Sequence, residues 1–266
     1  MSILSWVILF TVGSGALSAL TAGLFLMLPE HRRQRVLPHL VSFATGALLG
    51  AALLGLIPHA IESVGIEKTH GIGLALLGGI LVFFVLEKLV LWRHCHHDEW
   101  DVHPHDAHTH GPTHQQRDAA SASLILIGDG FHNTLDGVLI AAAFLTDVHL
   151  GIVSAIAVFA HEIPQEVGDL AILLQGGMSR ARALMLNLLT SLTSVIGGIV
   201  GVFALGSVLE YLPYALAIAA SSFLYVAVAD LIPGLHRKVD IASAIQQFAL
   251  ISIGVALIYF THSAAH

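Results

Sequence analysis

Two stretches of this chain set imidazoles, carboxylates and amides into surroundings that are otherwise apolar. Residues 128–144 read GDGFHNTLDGVLIAAAF and carry Asp129, His132, Asn133 and Asp136. Residues 159–175 read FAHEIPQEVGDLAILLQ and carry His161, Glu162, Gln165, Glu166 and Asp169. His132 and Asp136 are four residues apart, as are His161 and Gln165. On helices each pair stacks on one face, about 6 Å apart along the axis. Two imidazoles and a carboxylate suit zinc or a similar borderline divalent metal. If two such helices pack antiparallel, His132, Asp136, His161 and Gln165 can converge on one ion. Asn133 and Glu162, each one residue beyond a histidine, could form an adjoining site that is richer in oxygen and less selective. Asp129, one turn before His132, and Asp169, one turn after Gln165, extend the ion path or hold the ligands from behind, with Glu166 beside them.

The elements that must position these groups are membrane helices. Hydrophobic residues make up 56% of the 266 and charged residues 11%, and the mean hydropathy is +0.82. A soluble domain carries about 25% charged residues, so this composition covers a lipid-facing surface and not a water-facing one. The formal net charge of −7 and the lack of a basic patch exclude nucleic acid as a partner. Cys95 is the only cysteine, so no intrachain disulfide forms. Apolar runs of about 20 residues, each enough to cross a bilayer, fall at roughly 3–28, 38–62, 70–92, 120–145, 149–175, 183–208, 213–235 and 241–262. The fold expected is therefore an all-α polytopic membrane protein with eight transmembrane helices, a single transport domain over 1–266. No charge precedes Glu30, so the first run lacks the basic start of a secretory signal and reads as a retained span.

Ionisable side chains at membrane depth are costly and default to a functional role, which is the case for treating the clusters in spans 4 and 5 as chemistry. Pro164 removes one helical hydrogen bond and frees a carbonyl. Gly137 and Gly168 follow the two clusters and are expected to permit close helix approach, as are Gly46, Gly50, Gly197, Gly198 and Gly201 elsewhere. Asp230 in span 7 lines the pathway or sits solvated near the interface. His59 and Glu62 are expected at the water interface. Ser191, Thr193 and Ser194 bond backbone carbonyls or face the pathway.

Basic residues set the orientation. Arg32, Arg33 and Arg35 follow span 1; Lys88, Arg93 and Arg117 flank the connection between spans 3 and 4; Arg180 and Arg182 follow span 5; Arg237 and Lys238 follow span 7. Only Lys68 falls on the other side. The basic side reads as cytoplasmic, which puts both termini outside. The segment 94–119 reads as a flexible His-rich cytoplasmic loop. Its His94, His96, His97, His103, His105, His108, His110 and His114 capture metal loosely, as a buffer or sensor. Leu56-Ile57-Pro58 in span 2 recurs as Leu231-Ile232-Pro233 in span 7, in keeping with the inverted repeats of secondary transporters.

At His132-Asn133-x-x-Asp136-Gly137 and His161-Glu162-x-Pro164-x-Glu166-x-Gly168-Asp169 the chain resembles the ZIP family of zinc and iron transporters, and most of all its LIV-type branch. The resemblance covers nearly the whole chain. It implies inward transport of Zn2+, or of Fe2+, Mn2+ or Cd2+, as substrate, with no organic cofactor. It implies a binuclear centre between spans 4 and 5, a first site of His132, Asp136, His161 and Gln165 and a second that includes Asn133 and Glu162. An inverted-repeat architecture, a lipid bilayer as surroundings, a plasma membrane (in a bacterium, the inner one) and the option of a homodimer follow from it as well. The branch has His where this chain has Gln165, and acidic and His residues where it has Ala51 and Gly55. Two other readings stand beside transport into the cytoplasm. One is an intramembrane zinc metalloprotease, because His161-Glu162-Ile163-Pro164-Gln165 falls one residue short of HExxH. The other is a metal exporter or sensor.

Overall fold

A computed structural model describes residues 1–95, 114–175, 177–236 and 240–263. Lipid offers no hydrogen bonds to the backbone, so an apolar run must satisfy its own N–H and C=O groups and coils into a helix. The described residues accordingly form helices α1 (Ile3–Leu26), α2 (Glu30–Gly50), α3 (Ile57–Val64), α4 (Thr69–Cys95), α5 (His114–Thr146), α6 (Val148–Gln175), α7 (Arg180–Ser191), α8 (Thr193–Gly206), α9 (Leu212–Tyr225), α10 (Ile232–Leu235) and α11 (Ile241–Ser263). Six-residue π-helical turns join α2 to α3 (Ala51–Leu56) and α9 to α10 (Val226–Leu231). The protein is an all-α polytopic membrane protein.

Among the described residues seven helical stretches are long and apolar enough to cross a membrane. The fourth of the eight expected spans corresponds to α5, 33 residues long, whose Asp129 and Asp136 lower its apolarity. Several boundaries differ from the apolar runs. The helix of span 2 begins at Glu30, so Arg32, Arg33 and Arg35 lie in its first turns and not in a loop. A helix satisfies its own backbone whether or not lipid surrounds it, so it continues past the apolar stretch. For the same reason α5 starts at His114 and α7 at Arg180. Residues 114–119 of the His-rich segment are therefore helical. His96, His97, His103, His105, His108 and His110 lie outside the described residues; His94 and His114 are described in backbone only, at the ends of α4 and α5.

Local chemistry marks the ends. Ser2 caps α1 by accepting from Ser5 N–H at 3.1 Å. Gly65 (φ 72°) reverses the chain after α3. Gly177 (φ 82°) closes α6, where Gly177 N–H donates to Leu174 O and Met178 N–H to Leu173 O. This paired bonding requires a left-handed residue, which glycine adopts without strain.

Lipid tails are as apolar as leucine, so contact between spans rests on close packing of small side chains. The largest core cluster is dominated by alanines, among them Ala44, Ala47, Ala141, Ala157, Ala217 and Ala220. Large side chains such as Leu20, Phe203 and Phe248 face outward. α5 packs on α8, α2 on α11, α4 on α9 and α1 on α6. The tightest crossings are built on glycine. A Cβ on Gly137 would strike the Ser194 carbonyl, and one on Gly197 the Thr134 carbonyl. Gly46 and Gly254 meet the opposite backbone in the same reciprocal way across α2 and α11. Gly50, Gly198 and Gly201 lie at close contacts as expected, but Gly168 has nothing within 4 Å. It is exposed.

Candidate metal centre

α5 and α6 pack against each other, with only Asp147 between Thr146 and Val148. So short a connection forces them antiparallel. Asp147 organises the turn by accepting from the N–H groups of His149 (2.8 Å) and Leu150 (3.0 Å) through Oδ1, which caps α6. Partial burial pushes its carboxyl up, but the bonds from Leu150 and His149, with the His149 and His59 imidazoles nearby, hold it below the usual carboxylate range overall. His59, in α3, lies with its Nδ1 3.1 Å from Gly55 O. It is half-buried, and Glu62 is exposed.

The antiparallel arrangement brings the polar residues of α5 and α6 together. His132 Nε2 and His161 Nε2 stand 3.4 Å apart. Asp136 Oδ2 is 3.1 Å from His161 Nε2 and 3.6 Å from His132 Nε2. Glu162 Oε1 is 4.0 Å from His161 Nε2. One ligand atom from each of His132, Asp136, His161 and Glu162 lies within 4.8 Å of all the others. His161 is held at its other nitrogen, where Nδ1 lies 3.1 Å from Ala157 O. Such a bond fixes the ring and leaves Nε2 as the unprotonated ligand atom. Phe223 of α9 closes the far side, its ring edge-on to His161 at 6.3 Å.

The donor set fits a divalent ion on a second count. Asp136, His161 and Glu162 are all 2% exposed or less. Neither oxygen of Glu162, nor Asp136 Oδ2, has a hydrogen-bond partner among the described residues. Buried carboxylate oxygens without donors are costly, and a cation held between them removes that cost.

Asp129 stands beside this cluster. Gln165 Nε2 donates to Asp129 Oδ1 at 3.4 Å. Asn133 donates to the same oxygen at 2.8 Å and to Asp129 O at 3.1 Å. Asp129 thus gathers one amide from each helix, and Glu162 stands with the two histidines. Glu166 is fully buried and accepts from Asn187 and Ser191 of α7. Asp169 is half-buried. Asp230 lies in the π turn before α10, and its side chain is outside the described residues. Ser191 also contacts its own helix at Asn187 O, 2.7 Å, and Thr193 reaches Gly130 O of α5 at 2.7 Å. Asn187 is not legible in the sequence as a functional residue. A single amide in an apolar run gives no spacing, and its partner lies 21 residues away on the previous span.

A sequence model of the family described as ZIP zinc transporters matches residues 2–119 and 92–262. Among curated proteins the chain is 34% identical to zinc transporter ZIP4 of Rattus norvegicus over 254 residues, which covers 75% of this chain and 38% of that one. It is 33% identical to zinc transporter ZIP5 of Homo sapiens, with 83% and 52% covered. It is 30% identical to zinc transporter zipt-7.1 of Caenorhabditis briggsae, with 96% and 78% covered. The chain thus spans about two fifths to one half of the first two relatives. The match runs through the helices that build the His132–His161 cluster, and by it this chain belongs to the ZIP zinc transporter family.

Proposed function

We propose that this protein carries zinc, or another divalent transition metal, across a membrane into the cytoplasm through the centre between α5 and α6. The observation that carries the reading is the convergence of His132, Asp136, His161 and Glu162 within 4.8 Å on two antiparallel membrane helices. Two imidazoles with two carboxylates favour zinc over harder ions. The relatives' names support the same substrate. Asn133 and Gln165, drawn together on Asp129, form the adjoining oxygen-rich station. Asp129 and Asp169 line the route, Asp230 in span 7 is a candidate for its continuation, and Glu166 braces α6 against α7. The His-rich segment between α4 and α5 receives or buffers the ion on the cytoplasmic side.

The orientation rests on the basic residues, ten of which share one face of the predicted topology. On this reading both termini lie outside, and the membrane is the plasma membrane that the family resemblance implies. The inverted-repeat reading gains support from the two π turns, each directly before an Ile-Pro pair, Ile57-Pro58 and Ile232-Pro233. The homodimer that the family resemblance implies is read from the mass of the purified protein in detergent. The metalloprotease reading has less support, because Gln165 turns its amide to Asp129 where a second zinc imidazole would be needed.

The test is radioactive zinc uptake by liposomes that contain the purified protein, beside the double variant His132→Ala, Asp136→Ala. Uptake by the wild type and none by the variant supports transport through this centre. Tight zinc binding without flux of any tested metal would overturn it in favour of a sensor.

A further inference from the structure

A cavity of about 1060 Å³ lies away from the metal centre, between α1, α2, α6 and α7. Its walls are apolar: Leu20 and Leu24 from α1, Leu170 and Leu174 from α6, Leu184 and Leu188 from α7. Leu20, Leu24 and Leu184 are themselves exposed, so the cavity opens sideways onto lipid. On α1 it runs from Ala19 to Met27, about 12 Å at helical rise. That length suits part of an acyl chain.

Its mouth is cationic. Arg33 and Arg180 line it, with Glu30 and Gln34 as the other polar residues. Gln34 Nε2 donates to Glu30 at 3.3 Å, so the one carboxylate is engaged by a neutral amide. Among the described residues no ion pair involves Arg33 or Arg180. Arg33 Nε is shielded from solvent and has no hydrogen-bond partner among them. The start of α2 adds to the same charge, because Pro29 before it supplies no side-chain cap and helix N-termini favour anions. An apolar slot open to lipid, with two guanidiniums at its end, matches one class of molecule in chemistry and shape.

The geometry points to a binding site for an anionic phospholipid, its acyl chain between α1 and α7 and its phosphate on Arg33 and Arg180. Basic pockets between membrane helices on the cytoplasmic side hold anionic headgroups in this way. The occupant touches α6 at Val167 and Leu170, directly after Glu166, and touches α7, whose Asn187 and Ser191 hold that carboxylate. The lipid therefore acts on the helix pair that braces the metal centre. Its binding does not depend on which metal is carried.

The test is native mass spectrometry of the whole protein in detergent with added dioleoyl-phosphatidylglycerol or dioleoyl-phosphatidylcholine. The wild type retains the anionic lipid in preference to the zwitterionic one. The double variant Arg33→Gln, Arg180→Gln loses about thirtyfold in affinity, the weight of two basic side chains near a membrane surface. The variant Arg32→Gln, Arg35→Gln removes equal charge from the start of α2 outside the cavity lining and keeps the affinity. Circular dichroism and gel filtration establish that each variant folds. Equal loss in both variants would reduce the effect to general surface charge and overturn the site. Equal retention of the two lipids would also overturn it. Displacement by millimolar glycerol phosphate alone would mean that the site recognises the free anion and not a lipid.

Discussion

His132 Nε2 and His161 Nε2 face each other at 3.4 Å from two different helices, with Asp136 Oδ2 within 3.6 Å of both. His161 has an anchor of its own, with Nδ1 3.1 Å from Ala157 O. Both ring nitrogens can coordinate only when they are unprotonated. Replacing either ring should therefore weaken zinc binding, which titration calorimetry of His132→Ala and His161→Ala in detergent reads directly. Unchanged affinity in either variant would remove that ring from the centre.

Glu162 carries two buried oxygens with no donor among the described residues. Replacing it by Gln supplies an amide donor beside Asp136, whose Oδ2 has no hydrogen-bond partner among the described residues. The metal-free Glu162→Gln protein should be more stable than wild type by about 1–3 kcal/mol, while the zinc-induced rise in Tm shrinks. Thermal unfolding in detergent with and without zinc separates the two effects. A variant equally stabilised by zinc would remove Glu162 from the ligand set.

Glu166 depends on donors from α7. Asn187→Ala or Ser191→Ala leaves its buried carboxylate short of a partner, at a cost of about 1–3 kcal/mol each. Because the two donors share one acceptor, the double variant should deviate from additivity. Unfolding midpoints of the four proteins of the cycle decide this.

Gly197 sets the approach of α8 to α5 at the Thr134 carbonyl. Gly197→Ala must push backbone against backbone and should destabilise by about 1–3 kcal/mol. Gly168→Ala, with nothing within 4 Å, should be neutral or stabilise by about 1 kcal/mol through helix propensity. Comparing the two in one thermal assay tests whether the glycines of this fold act by contact or merely by composition.

Asp147 caps α6 through two backbone bonds. Asp147→Ala should cost about 0.5–2 kcal/mol at neutral pH, toward the low end because the side chain is 44% exposed and its charge is screened. Its carboxyl is held below the usual range when folded. The contribution is therefore complete above the ordinary carboxylate range and fades as pH falls through the lowered folded value. The difference between wild type and variant should close in strong acid; a gap that stays constant there would exclude a carboxylate cap.

Which parts can be read from the sequence follows from the range of each interaction. Seven of the spans follow from apolar length alone. The helices of the centre announce themselves because an ionisable group at membrane depth is too costly to persist without a function. The i,i+4 spacing then places His132 over Asp136 without tertiary knowledge. The partition between Glu162 and Gln165 is of another kind. Spacing puts Gln165 on the face of His161 and Glu162 on the next, but only the rotation of α6 against α5 sets the Gln165 amide against Asp129 and a Glu162 oxygen within 4.8 Å of the ligand atoms of His132 and Asp136. Rotation about a helix axis is settled by packing with a third element, here α7 holding Glu166 and α9 placing Phe223 against His161. No local pattern records it.

The π turns at Ala51–Leu56 and Val226–Leu231 have a consequence for reading any face of those two spans. A π turn takes in one residue more than an α turn does. At about 100° per residue, that surplus swings every later side chain around the axis by about a quarter of a circle relative to an unbroken helix. Each span thus changes phase once, just ahead of its proline. His59 and Glu62, and the residues after Leu231, follow a different angular register from those before. A helical wheel drawn through either span describes one half correctly and misplaces the other.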